Sequence, residues 1–479
     1  MIAALEARVP ERRPVYARYF LSALIAALLP IALFYTDSYW LKFSYIQKNA
    51  LFEYFGFSTA SVLLFNMIIE IKKRAKSSGD QIIPIVLFGL TGFAFLVWFS
   101  EYSLVGNDYS AYQTAAKALL DGQSIYGHSP SYIYPPLLAY IIAFLYKTVQ
   151  WISVNIFSTQ MKPKEYYYLV FYLYQVFQYG LILVSYGLVY LFAKSLNHTK
   201  YSAALLTTLI FLANLPLFRN FRMNQVNLLV LIGLLLAILL VDRNPILTGA
   251  FIAFCVHIKI YPIIVLLPWL ISRRWLAVGS AIISGILMFL AQLFIANGLK
   301  NWIDYFAYII NVEKGIALRN NSLHSLAWNL SHLLFPRSST PMLVTSTNLL
   351  VGGFTALMIA WIVKRYLQRM KAPALTDQDR YLGNFMDTII LMFLISPSAW
   401  DHHYVAAIPL AVWAMTVGMD QLIGLVGLGL VFIFWVPTFD VFFFSYVRLA
   451  GIVLLMIALQ PTKTVIPSLP IEQPLQIRV

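Results

Sequence analysis

Asp108 opens the string DYSAYQTAAKALL, in which Ala111, Ala115 and Leu119 recur at helical spacing and Gly122 supplies a stop. A carboxylate at a membrane interface beside Tyr109 and Tyr112 is partly desolvated, which raises its pKa and makes it a better acceptor for a hydroxyl proton. The same aspartate is also suited to cap the helix it begins, and the two roles are compatible. Lys259, in HIKIYP, lies inside an apolar run where a charged side chain costs about 2.5–3.5 kcal/mol on insertion scales. It calls for a buried partner or for an anionic ligand reached through the bilayer, of which a lipid phosphate is one. His257, two residues away, belongs to another helix face. The stretch RNFRMNQVN holds Arg219, Arg222, Asn224, Gln225 and Asn227: guanidinium groups suited to phosphate, or an ordinary positive loop. SPSAWDHHY holds Asp401, His402 and His403, where an imidazole would donate to a phosphate or sugar oxygen, or rest solvated at the interface. Asn321 and Ser322, in RNNSLHS, form a weaker polar cluster. Tyr126, Tyr132 and Tyr134 read as an interfacial aromatic belt, and Pro136 as the first turn of a helix.

The elements carrying these residues are membrane spans. Of 479 residues, 60% are apolar and 11% charged, against roughly 25% charged in soluble domains. The net charge of +14 sits in short clusters between long apolar runs, which is bilayer topology and excludes a nucleic-acid surface. A single cysteine, Cys255, excludes a disulfide framework. Thirteen or fourteen spans of about twenty residues are expected: 19–36, 54–71, 81–100, 136–153, 166–193, 201–217, 226–241, 247–271, 276–296, 342–363, 385–396, 403–419, 422–437 and 441–459. The first, preceded by Arg8, Arg12, Arg13 and Arg18, reads as a retained signal anchor. Lys72 to Lys76, Arg273, Arg274 and a loop with Lys364, Arg365, Arg369 and Lys371 assign the cytoplasmic side. Counting spans then puts 101–135, 297–341 and 396–403 together on the extracytoplasmic side. Lys194 and Lys200 break that bias. A re-entrant pair within 201–241 would keep the parity and let Arg219, Arg222, Asn224 and Asn227 line an intramembrane cavity. Asp377 and Asp379 read as a solvated loop, and Gly424, Gly427 and Gly429 as small residues allowing helices to approach.

In order along the chain, Asp-Tyr-x-x-Tyr, Tyr-Pro-Pro, Asn-Gln-x-Asn, Lys-x-Tyr-Pro, Asn-Ser-Leu and Ser-Pro-x-x-Trp-Asp-His-His resemble glycosyltransferase family 87 over roughly 81–440. The resemblance implies an all-α polytopic membrane protein of the type C glycosyltransferase-like fold, with outer-face amphipathic helices. It implies transfer of a hexose, typically mannose, from a polyprenyl-phosphate donor to a lipid or glycan acceptor, with inversion, at the extracytoplasmic face of the cytoplasmic membrane. Asp108 would then be the base. Lys259, His402, His403 and Arg222 would contact the donor phosphate, and Tyr112, Asn224, Gln225, Asn227, Asn321 and Asp401 the substrates. No cofactor, metal or nucleic-acid partner is expected. The family's usual Gly-Gln-x-Asn reads here with Asn224 in place of the glycine, and the spans before residue 81 look additional. The division is 1–80, a two-helix extension; 81–440, the membrane core; and 441–479, a last helix and tail. The competing class is a transporter or flippase of lipid-linked sugar, for which an internal repeat is expected and not seen.

Overall fold

The computed structural model describes residues 82–102, 108–158, 161–295, 297–311, 320–336, 339–418, 424–438, 442, 444–459 and 461. The spans expected over 19–36 and 54–71, the extension 1–80 as a whole, and the tail beyond 461 lie outside the described residues. Within them the chain is all helical: α1 (Ile82–Tyr102), α2 (Asp108–Leu120), α3 (Leu137–Asn155), α4 (Pro163–Ser195), α5 (Lys200–Leu212), α6 (Leu215–Arg222), α7 (Asn227–Leu239), α8 (Pro245–Ile258), α9 (Leu266–Ile271) and α10 (Trp275–Leu293). There follow α11 (Gly298–Asn311), α12 (Leu323–Leu334), α13 (Thr340–Lys371), α14 (Asp377–Ile395), α15 (Ile408–Val417), α16 (Leu425–Phe434) and α17 (Val447–Ala458). No strand occurs among the described residues.

By length and apolar content α3, α4, α10 and α13 can each cross a bilayer, and α5 with α6 makes a fifth crossing if the bent pair is one span. Their outward faces are apolar: Phe144 is 70% exposed, Val176 68% and Leu349 72%, an inverted surface that suits lipid rather than water. The chain is an all-α polytopic membrane protein. Several expected spans are not continuous helices, and proline chemistry explains why.

Pro216 lacks an N–H, and its ring would clash with the carbonyl four residues back, so α5 stops at Leu212. The Asn214 side chain then accepts from Leu217 N at 2.9 Å and caps α6, which turns away by 55°. This is the geometry of a broken span or a re-entrant segment. The run 247–271 is likewise broken: α8 ends at Ile258, Lys259 is extended, and Pro262 starts a 3-10 turn (Tyr261–Val265) leading into α9. Lys259 therefore sits at a helix break and not mid-helix. Pro397 similarly follows the end of α14, and a 3-10 helix (Asp401–Ala407) connects to α15.

Helix α7 is the hub, packed against α4, α8 and the Asp401–Ala407 turn. Its 13 residues are mostly buried Leu, Ile and Val. At 1.5 Å per residue it spans only about 20 Å, short of a hydrocarbon core of roughly 30 Å. The polar turn at its start is inside protein, as irregular backbone at depth must be: Asn220, Asn224, Gln225 and Asn227 are each at most 1% exposed.

Glycines set the close crossings. A Cβ on Gly249 of α8 would lie 2.5 Å from the Ala277 carbonyl oxygen of α10. Gly429 of α16 faces Gly451 of α17, where a Cβ would meet the opposing carbonyl oxygen at 3.0 and 2.7 Å respectively.

One expectation fails in its detail. Arg365 and Arg369 are not in a solvated loop but on α13, buried against Asp387 of α14 at 2.9 and 2.6 Å. Arg365 also donates to the carbonyls of Met456 and Leu459, satisfying the otherwise open C-terminal end of α17. Asp377 and Asp379 do lie in solvent at the start of α14, where Asp379 forms a capping box with Thr376.

Candidate active site

Helix α2 buries Ala111, Tyr112, Ala115 and Leu119 and stops before Gly122, whose φ of 72° suits glycine. Its first residue, Asp108, directs its carboxylate at the α6–α7 turn, where Asp108 Oδ2 accepts from Gln225 Nε2. The other end of the same amide, Oε1, accepts from Lys259 Nζ at 3.0 Å and from the Tyr134 hydroxyl at 3.0 Å. Lys259 also donates to Asn227 Oδ1 at 2.7 Å, and its ammonium stands 4.9 Å from the centre of the Tyr134 ring. Tyr261 donates to the same Asn227 oxygen at 3.1 Å, while Asn227 Nδ2 donates to Asn220 Oδ1 at 3.0 Å and to the His402 carbonyl at 3.1 Å.

The turn is held from its backbone. Asn224 takes a φ of 55°, which asparagine tolerates, and its carbonyl accepts from Tyr174 at 2.6 Å. The Gln225 N–H donates to the Asn220 carbonyl at 2.9 Å, and the Asn220 amide donates back to the Gln225 carbonyl at 3.2 Å. Burial lifts the Asp108 carboxyl above the ordinary carboxylate range, a rise opposed by the Gln225 hydrogen bond and by the Lys259 ammonium.

His402 and His403 pack edge to face with ring centres 4.7 Å apart. His403 stands 5.9 Å from the Tyr261 ring, and its Nδ1 meets the Ser398 carbonyl at 3.2 Å. Both imidazoles are within electrostatic range of Lys259. Asp401 turns the other way, into a buried knot: it pairs with Arg219, with Arg448 at 3.1 Å and with Asn321 at 3.3 Å, and Thr438 donates to it. The Asn321 N–H donates to the Ala399 carbonyl at 2.9 Å, fastening this knot to the start of the histidine turn.

Asp108, Gln225, Asn227, Lys259 and the histidine pair thus converge. Tyr112 is buried beside them, its ring 5.2 Å from Tyr134. Asn321 and Asp401 lie in the adjoining knot, and Arg222 is exposed on α6. Arg219, one turn earlier, is the α6 cation that enters. Sequence reasoning missed Tyr134, which is 5% exposed and not in an interfacial belt, as well as Tyr261 and Arg448. Arg448 carried a usable signal, an arginine inside an apolar span. Tyr134 carried none beyond its neighbour prolines. Among the described residues no three His, Cys, Asp or Glu side chains gather as a metal site would need.

A carboxylate and an ammonium bridged by one amide, with an imidazole pair on the adjoining turn, lie together inside a helical membrane protein. The sequence model of Glycosyltransferase family 87 matches residues 132–397, more than half of the chain, which belongs to that family. The chain is similar to the polyprenol-phosphate-mannose-dependent alpha-(1-2)-phosphatidylinositol pentamannoside mannosyltransferase of Mycolicibacterium smegmatis, 26% identical over 253 residues. That match spans about half of each protein, 50% of this chain and 55% of the relative. No solved structure matches. The family match includes Tyr134, Gln225, Asn227, Lys259 and Asn321, whereas Asp108 and Asp401 to His403 lie outside it.

Proposed function

We propose that this glycosyltransferase moves a hexose, mannose by analogy with its relative, from a polyprenyl-phosphate donor to a hydroxyl of an acceptor at the extracytoplasmic face of the cytoplasmic membrane, with inversion. The observation that carries the reading is the convergence of Asp108 and Lys259 on the two ends of one amide, Gln225. Asp108 takes the proton of the acceptor hydroxyl as its oxygen bonds to the anomeric carbon. The bond from that carbon to the phosphate oxygen breaks, and polyprenyl phosphate leaves with the electron pair. Lys259, assisted by His402 or His403, offsets the charge gathering on the phosphate. Attack opposite the leaving group inverts the anomeric centre, through a transition state of oxocarbenium character. A raised Asp108 pKa favours this role, because a more basic carboxylate accepts the proton more readily.

The test is to incubate the purified full chain with radiolabelled polyprenyl-phosphate mannose and glucose and a panel of lipid and glycan acceptors, and to assign the product anomer by NMR. Transfer from the polyprenyl phosphate with an inverted anomer supports the reading. Transfer only from a nucleotide sugar, a retained anomer, or sugar crossing a vesicle with no new glycosidic bond overturns it.

A further inference from the structure

Gln225 is chemically two-faced, and its surroundings fix which face is which. Lys259 only donates, so the amide oxygen must face it and the NH2 must face Asp108. That oxygen has two lone pairs, both taken, one by Lys259 Nζ and one by the Tyr134 hydroxyl, each at 3.0 Å. It has no capacity left for a ligand. The backbone on either side is clamped by Asn220 and Tyr174, and the residue is 1% exposed. Lys259 does not depend on Gln225 for its location, since Asn227 Oδ1 also holds it at 2.7 Å. Asp108 is different. Gln225 is the link that joins its carboxylate to the ammonium, standing between two opposite charges on neighbouring elements.

We infer that Gln225 is a positioning residue, not a substrate contact: its amide orients the Asp108 carboxylate as a proton acceptor and separates it from Lys259, leaving the ammonium for the donor phosphate. This rests on the proposed transfer reaction. An aspartate paired directly with Lys259 would be a weaker base beside a cation less available to phosphate. The amide transmits the polarity of the ammonium to the carboxylate while preventing that pairing.

The experiment compares wild type with Gln225→Met, which keeps side-chain length and removes every side-chain hydrogen bond, measuring kcat, donor KM and the pH profile of kcat. The expected result is a fall in kcat of roughly 10- to 100-fold, with donor KM held within about twofold because Asn227 retains Lys259. The acid limb of the profile moves to higher pH, since a carboxylate that loses a donated hydrogen bond is protonated more easily. A residue that merely held the fold would lower the amount of active enzyme without moving that limb. An acid limb that stays in place overturns the inference, whatever happens to kcat. Should Gln225→Met fail to fold, Gln225→Leu, which also keeps apolar bulk between the two charges and donates no hydrogen bond, is expected to give the same shift and is read the same way. Wild type that transfers no sugar from any polyprenyl-phosphate donor overturns the functional reading and the inference with it. An active wild type with an unmoved limb in the variant overturns the inference alone.

Discussion

Asp108 stands at the first turn of α2 with buried Tyr109 beside it, and its carboxyl titrates above the ordinary range because burial penalises the anion more than Gln225 and Lys259 favour it. A base works only when deprotonated, so the activity should fall as pH drops through that raised pKa. The acid limb of kcat/KM is therefore expected above the value of a solvated aspartate, and a rate profile flat down to the ordinary carboxylate range would contradict this. Replacing Lys259 by Met removes the ammonium and leaves its two acceptors with the hydroxyls of Tyr134 and Tyr261. The loss of a charge-assisted hydrogen bond corresponds to about 1.5–3 kcal/mol, or roughly 10- to 150-fold in donor KM. The same substitution removes the Coulombic attraction that lowers the Asp108 pKa, so the acid limb should also move upward. Titrating kcat/KM for the donor against pH in both proteins checks the pair of effects.

The elements that bring these residues together are mostly breaks in helices. Lys259 reaches Asn227 because α8 ends at Ile258, and α6, which carries the chain into the α6–α7 turn, leaves α5 at an angle because Pro216 halts α5 and Asn214 caps a new helix. The residues of the site were legible in the sequence as polar groups out of place in apolar runs, since charge inside a span demands a purpose. Their pairing was not. Asp108 and Gln225 are 117 residues apart, and nothing in either local pattern says that one amide meets both Asp108 and Lys259. The spans over 201–217 and 247–271 were legible by composition, whereas their breaks depended on weighing Pro216 and Pro262 against the hydrophobic run. Arg365 and Arg369 were misassigned to a loop because charge counting does not see that Asp387, in the next helix, is buried against them.

Two stability predictions belong to these elements. Asp387→Ala leaves two arginines buried without their counter-ion and should cost about 3–5 kcal/mol. Gly249→Ala drives a methyl group into the Ala277 carbonyl at the α8–α10 crossing and should cost about 1–3 kcal/mol. Thermal melts of the purified variants in one detergent check both, and unchanged midpoints would contradict the packing described.

For the molecule as a whole, the account requires that the ends of the bundle face different compartments. Gln123, exposed just after α2, should face the extracytoplasmic side, and Asp377, fully exposed at the start of α14, the cytoplasm. The single native cysteine, Cys255, is buried, which suits thiol labelling with little background. In intact cells a membrane-impermeant maleimide should label Gln123→Cys directly and Asp377→Cys only after permeabilisation. Labelling in the opposite order would put the site on the cytoplasmic side and remove the proposed acceptor compartment.

The central claim is that the Asp108 carboxylate removes the acceptor proton, and single-turnover sugar transfer by Asp108→Asn tests it most directly. Asparagine preserves shape and is unable to take a proton. The account predicts a rate lower by at least roughly 100-fold, with donor binding retained because Lys259 and Asn227 are untouched. A variant that binds donor and transfers the sugar at the wild-type rate would contradict it.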